Sequence, residues 1–268
     1  MALDKGGRCM SWFFDKADQV SEPSKEWDFY FCQVDHKPAS IFVDIGRMNA
    51  IPDKGFQHMA YLRLYMKQPR EDGLSSNEEY QILCDFEDHL NTKLIAKAGI
   101  LYVGRNTNNG VRDFYFYVKE PNAFSKALAT LMATLSEYEY ETGDRLDANW
   151  STYREFLYPD AKAYRTILNR RVLEALDQHG DDKAVPHKLD HRVYLTQNSQ
   201  VQPFIDKILS MGFQIEAQNS EDINIFIVDF FRAYLLQNID NVTDIIEGLV
   251  EDFGGDYDGW GIEVISPS

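Results

Sequence analysis

Cysteine is scarce in this 268-residue chain, which has only Cys9, Cys32 and Cys84. An odd number without CxxC spacing argues against a disulfide framework and for free thiols in a reducing compartment, so a cytoplasmic location is expected. Long apolar runs are missing as well. The longest mostly apolar segment, INIFIVDFF, falls far short of the ~18 residues a membrane-spanning helix needs, and MALDKGGRCMSWFF has too few apolar residues for a signal-peptide core. Basic residues are outnumbered, 27 Lys and Arg against 43 Asp and Glu, for a formal net charge of −16. Nucleic acid and anionic membrane are polyanions that attract clustered Lys and Arg, so neither is an expected partner. No GxSxG, Walker loop, HExxH or Rossmann fingerprint occurs, and no cofactor or metal is expected. An enzyme would have to use a site that such motifs do not describe.

What is present is enough apolar material for two cores. Hydrophobic residues make up 44% and aromatics 13%, and the length suits two domains. The charge is uneven: residues 181–268 hold sixteen Asp and Glu against five Lys and Arg. From Trp27 to Gly46 the aromatic and β-branched residues around Asp35 to Pro38 spell a hairpin. MAYLRLYM is a strand, and PREDGLSSNEEY is a loop leading into a helix, with Ser75/Glu78 and Ser76/Glu79 spaced as capping boxes. Tyr80, Leu83, Phe86 or Glu87, Leu90 and Leu94 carry its apolar face to about Ala98, where Gly99 stops it. ILYVGRNTNNGVRDFYFYVKE turns at Asn109-Gly110, residues 122 to 135 look helical, and EYEYETG alternates like a strand. The order β, α, β, β, α, β is that of a ferredoxin-like unit.

WSTYREFLYPDAKAYRTILNRRVLEALDQHG reads as two helices broken at Pro159. GDDKAVPHKLD is polar with Gly and Pro, which puts a domain boundary at 180–181. HRVYL, VQPFIDKILSMG, FQIEA, INIFIVDFF, NVTDIIEGLVEDFG and WGIEVI then repeat β, α, β, β, α, β. The expected fold is α+β: an N-terminal domain over 1–180 with an added hairpin and C-terminal helices, and a ferredoxin-like domain over 181–268, both on antiparallel sheets.

Candidate sites fall in both halves. In GGDYDGWG, Gly254 and Gly255 end a helix, and Gly259 and Gly261 flank Trp260. One reading makes this a structural turn whose Trp packs on the sheet. The other makes Tyr257 and Trp260 an interface anchor rimmed by Asp256 and Asp258, since aromatics dominate binding hot spots. Arg70, Ser75 and Ser76, with Arg105 and Arg112, could meet an anion, although capping alone accounts for the serines. RDFYFYVK sits where RNA-recognition motifs stack bases, but Asp113 replaces their glycine. His187 with His191, and His89 beside Asp85 and Asp88, have metal-like spacing without a third ligand.

DYDGWG, the amphipathic helix before it and INIFIVDFF together resemble the bacterial family of regulators of ribonuclease E activity B. PASIFVDIG, PREDGLSSNEEY, LYVGR, RDFYFY and WSTYREFLYP resemble a bacterial domain family of unknown function that is often fused ahead of such a regulator. The resemblance implies a non-catalytic binding protein that inhibits an RNA-processing endonuclease by direct contact, and the excess of acidic residues over 181–268 would steer it to a basic surface on that partner. An enzyme acting on a small anionic substrate at the 70–79 loop and an RNA-binding module stand as alternatives.

Overall fold

The computed structural model describes residues 8–10, 26–95, 99–135, 138–222 and 225–265. Contacts divide the chain into two compact units, one over Ala17–Ala163 and one in which Tyr164–Ser268 is joined by β1 (Arg8–Met10).

The first unit is a six-stranded sheet. Its strands are β2 (Trp27–Val34), β3 (Lys37–Asp44), β4 (His58–Tyr65), β5 (Ile100–Asn108), β6 (Val111–Val118) and β7 (Tyr140–Leu146), in the spatial order β2-β3-β5-β6-β4-β7 with every pair antiparallel. The helices are α1 (Asn77–Leu90), prolonged by a π turn over Asn91–Ile95, and α2 (Pro121–Met132). Strands β5-β6-β4-β7 with α1 and α2 form the ferredoxin-like core, and the β2-β3 hairpin adds to the edge at β5. Both hairpin turns use paired positive φ angles, 51° and 62° at Asp35 and His36, 50° and 81° at Asn109 and Gly110. That backbone matches the twist of the flanking strands.

Alternation decides which side chains meet the helices. Leu62, Phe114 and Phe116 face Leu83, Phe86 and Leu128 in one core. The opposite face is covered by residues 147–158, where WSTYREFLYP, expected as a helix, makes only a short π turn at Thr152–Leu157. Trp150 stacks flat on Tyr117 at 3.8 Å. Asp147 anchors this cover by accepting from the Tyr117 hydroxyl (2.6 Å) and from the amides of Ser151 and Thr152 (2.8 and 2.9 Å). Burial raises its pKa, but those hydrogen bonds outweigh burial and hold it below the usual carboxylate range.

The second unit repeats the topology with β8 (His187–Leu195), α4 (Asn198–Ser210), β9 (Gln214–Asp222), β10 (Ile225–Tyr234), α5 (Ile239–Asp252) and β11 (Asp256–Glu263), in the order β1-β11-β8-β10-β9. Val193, Phe204, Ile208, Phe230 and Ile246 form its core beneath α4 and α5. Helix α3 (Ala161–Gln178) packs Val172 and Leu176 against Leu189, Trp260 and Ile262. Most of α3 therefore belongs to this unit, and the stretch at 180–181 expected to separate domains lies inside it. The reason is the apolar stripe of α3: it needs a partner, and the β8 and β11 end of this sheet supplies one.

His191 lies at the centre of the second core. Its Nδ1 is 2.7 Å from the Tyr257 hydroxyl, Phe213 and Phe230 lie against its ring, and its buried Nε2 has no partner. Burial pushes its pKa from 6.5 down to about 3. Between those values the unfolded chain binds a proton that the folded chain does not, so stability falls as pH drops through that window, by at most about 1.4 kcal/mol per pH unit. Urea unfolding at pH 7 and pH 5 should show a pH penalty about 2 kcal/mol smaller in His191→Gln than in the parent. Equal penalties in the two proteins would contradict this placement.

Candidate functional site

The glycine-rich segment before and within β11 is shaped by close approach. Helix α5 ends at Gly254 with φ of 61°. A Cβ on Gly255 would meet the Tyr194 carbonyl oxygen and Leu195 Cδ2 at 2.7 Å, which explains a glycine there. Asp258 is the extra residue of a bulge between Tyr257 and Gly259, and Gly259 has φ of 105°.

Register then sorts the four residues singled out by sequence. Tyr257 lies opposite Val193 and Trp260 opposite His191, and both of those partners are buried. The two rings consequently point to the helix side. Trp260 is 2% exposed, and its Nε1 donates to Asn169 Oδ1 at 2.8 Å. Asn169 Nδ2 in turn donates to Asp240 and Thr243, at 2.7 and 3.0 Å. An anchor made of both rings and both carboxylates is thus split: the rings serve the core, and Asp256 and Asp258 look outward. Burial raises the Asp258 pKa, opposed by the Tyr194 hydroxyl at 3.2 Å and by Arg192. Around them the face turned away from α4 and α5 carries the Arg192–Asp229 pair (2.7 Å) and Lys188 bridging Asp190 and Glu216 (2.8 Å each). Among the described residues Asp190, Glu216, Asp229, Asp256 and Asp258 outnumber Lys188 and Arg192 there.

The other candidate set also resolves by register. Thr107 pairs with Arg112 and Phe42 with Arg105, so these side chains share the α1 and α2 face of the first sheet. The β2-β3 hairpin carries that face past the helices. There Arg70, Ser75, Arg105 and Arg112 come together around a pocket of 480 Å³. Ser76 is not among its lining residues; its hydroxyl accepts the Glu79 amide at 3.3 Å as the cap of α1. The reciprocal half of the expected capping box is not used. Glu79 turns away to accept the amides of Lys67 and Gln68 (2.8 Å each) and the Tyr138 hydroxyl (3.0 Å).

Loop 67–76 is held in place by the β5-β6 hairpin. The Gly110 amide donates to the Gly73 carbonyl at 2.9 Å, and a Cβ on Gly73 (φ 82°) would come within 2.7 Å of Asn109 Cα. Arg70 pairs with Asp72. Arg105 pairs with Glu87 at 2.7 Å and lies over the Phe42 ring. Arg112 is 1% exposed; its Nε donates to Thr107 Oγ1 at 3.0 Å, while Nη1 is buried without a partner. Burial and then the neighbouring Arg105 lower its pKa. A pocket of 460 Å³ on the other face differs in kind, because Arg63 there is bound bidentately to Asp113 (2.7 and 2.9 Å).

Two other motifs are absorbed by structure. Phe114, Phe116 and Tyr117 of RDFYFYVK are fully buried, so that stretch offers no row of exposed rings to stack bases on, contrary to the RNA-binding alternative. The histidines are engaged singly: His89 with the Asp85 carbonyl (2.7 Å), His187 with Asp181 (3.0 Å), His191 with Tyr257. Neither Arg112 as an unsatisfied buried cation nor Asn169 as a partner of Trp260 could be found from sequence, because both depend on register and on where α3 packs.

Fold and sites define a class: a two-unit α+β chain with doubled ferredoxin-like topology, one acidic sheet face and one arginine-lined pocket. Over residues 25–158, half its length, the chain belongs to the family described as "Family of unknown function (DUF695)". Residues 166–262 match the model for "Regulator of ribonuclease activity B". No curated protein matches. Among solved structures, an unknown protein from Galdieria sulphuraria is similar at 11% identity, covering 78% of this chain and 99% of its own, with a TM-score of 0.22. A putative glycine cleavage system transcriptional repressor is similar at 9% identity, covering 79% and 98%, with a TM-score of 0.23. Both scores are too low to carry a statement about this chain. Among the described residues no helix is long and apolar enough to cross a membrane.

Asn169→Ala removes the acceptor of the buried Trp260 N–H together with two further bonds. It should destabilise the C-terminal unit by about 1–3 kcal/mol in denaturant unfolding. An unchanged midpoint would mean that the indole N–H has no need of this partner.

Proposed function

We propose that the protein is a non-catalytic regulator of ribonuclease activity that binds a ribonuclease directly through its C-terminal unit. The match of residues 166–262 to the ribonuclease-regulator family carries this reading. The face of β8, β10 and β11 turned away from α4 and α5 is the surface best suited to the contact. Asp190, Glu216, Asp229, Asp256 and Asp258 outnumber Lys188 and Arg192 there, so it suits a basic patch on the partner. Screening at ~0.15 M salt limits that attraction to about 8 Å, so it steers the encounter and close packing supplies the affinity. Inhibition, rather than activation, is the sense of regulation inferred.

The test pairs the full chain with an endoribonuclease of the RNA-decay machinery, measuring cleavage and binding kinetics together. Added protein should slow cleavage in proportion to complex formed. Asp256→Asn with Asp258→Asn should lower the association rate several-fold at low salt and flatten its salt dependence, with little change in dissociation. Cleavage that is indifferent to saturating protein, with no complex detected, would refute the reading.

A further inference from the structure

The pocket on the first unit has the features of a ligand site that the regulator reading does not use. Its volume of 480 Å³ falls within the 300–1,000 Å³ usual for small-molecule sites. Its chemistry is lopsided. One wall is apolar and accessible, with Phe31 66% and Tyr80 50% exposed. The other holds Arg105 and Arg112, with Ser75 and Arg70 nearer the loop.

Charges at the arginine wall do not cancel within the protein. Glu87 answers Arg105 and also accepts the Tyr102 hydroxyl at 2.7 Å, while Asp72 answers Arg70. Arg112 feels the Glu87 carboxylate that Arg105 holds, but among the described residues it hydrogen-bonds only to the neutral Thr107 hydroxyl, and its Nη1 donor is orphaned in the buried interior. A buried guanidinium left this way is costly unless something brings it an acceptor, since burying an unpaired charge opposes folding. An oxyanion in the pocket would satisfy it, and guanidinium is the group best shaped to hold carboxylate or phosphate.

Among the described residues the lining contains no carboxylate, histidine or cysteine. A bound anion would therefore meet donors and rings, with no general base or acidic nucleophile among them. We infer that the DUF695 unit binds a small organic oxyanion, its phosphate or carboxylate against Arg112 and Arg105 and its planar or apolar body against Phe31 and Tyr80. The site holds the ligand without turning it over. Loop 67–76, pinned on the β5-β6 hairpin, places Ser75 and Arg70 at the pocket before any ligand arrives, so little ordering cost falls on binding.

The experiment uses the full chain without any ribonuclease, so its outcome is independent of the regulator reading. Calorimetric titration compares adenosine 5′-monophosphate, benzoate, inorganic phosphate and adenosine. One or both of the organic anions should bind at least tenfold more tightly than phosphate or adenosine, and the choice between them reports whether the head group is phosphate or carboxylate. Arg112→Gln should reduce that affinity tenfold or more, and Phe31→Ala, at an exposed position that leaves the fold intact, should reduce it several-fold. If Arg112→Gln does not fold, Phe31→Ala and Arg70→Gln decide the matter. No heat from either organic anion at millimolar concentration, or affinity unmoved by the folded variants, overturns the inference.

Discussion

The period-two alternation of side chains along antiparallel strands is the constraint from which both sites follow. Once the register of a sheet is set, every residue is committed to one face, and a shift of one residue would exchange the two. In the second unit the covered face takes Val193, His191, Tyr257 and Trp260, so Asp256 and the bulged Asp258 are left facing outward. The bulge at Asp258 matters here: it inserts one residue and lets both aromatics, three positions apart, point the same way. In the first unit the same rule lines up Phe42, Arg105, Thr107 and Arg112.

Unequal cover then sets the two units apart. Helices α1 and α2 span the ferredoxin-like core but not the added β2-β3 hairpin, and the covered face runs out from under them into a pocket. Arginines that would be exposed at an ordinary sheet edge are there enclosed by aromatic rings and by the loop before α1. The second unit reaches a different result with the same topology. Its helices cover one face, and among the described residues the other carries charged side chains paired across the strands.

The element order was legible in the sequence because its signals are local. Asn109-Gly110 marks a tight turn by its φ preferences, and the spacing of Leu83, Phe86 and Leu90 marks one face of a helix; the three residues 96–98 at the expected end of that helix lie outside the described residues. The sequence also singled out Arg70, Ser75, Arg105 and Arg112 together, and all four line one pocket, although nothing local placed Arg112 in the interior. Signals that depend on tertiary partners did not surface. WSTYREFLYP has helical composition but is held by Asp147 and by the Trp150 stack on Tyr117 as a short π turn. Glu79 has capping-box spacing yet serves the amides of Lys67 and Gln68. Helix α3 looked like the tail of the first domain because the polar stretch after it is conspicuous, whereas its apolar stripe is matched to Trp260 and Leu189.

Trp260 separates the two roles that its segment could play, as core residue or as docking anchor. The most direct test measures Trp260→Ala twice, in the unfolding of the C-terminal unit and in the ribonuclease affinity of the folded protein. Burial under α3 predicts a stability loss of about 3–5 kcal/mol and an affinity, per folded molecule, close to that of the parent. A stable, folded Trp260→Ala protein that has lost its affinity would instead put the indole in the interface and contradict the assignment of recognition to the open acidic face.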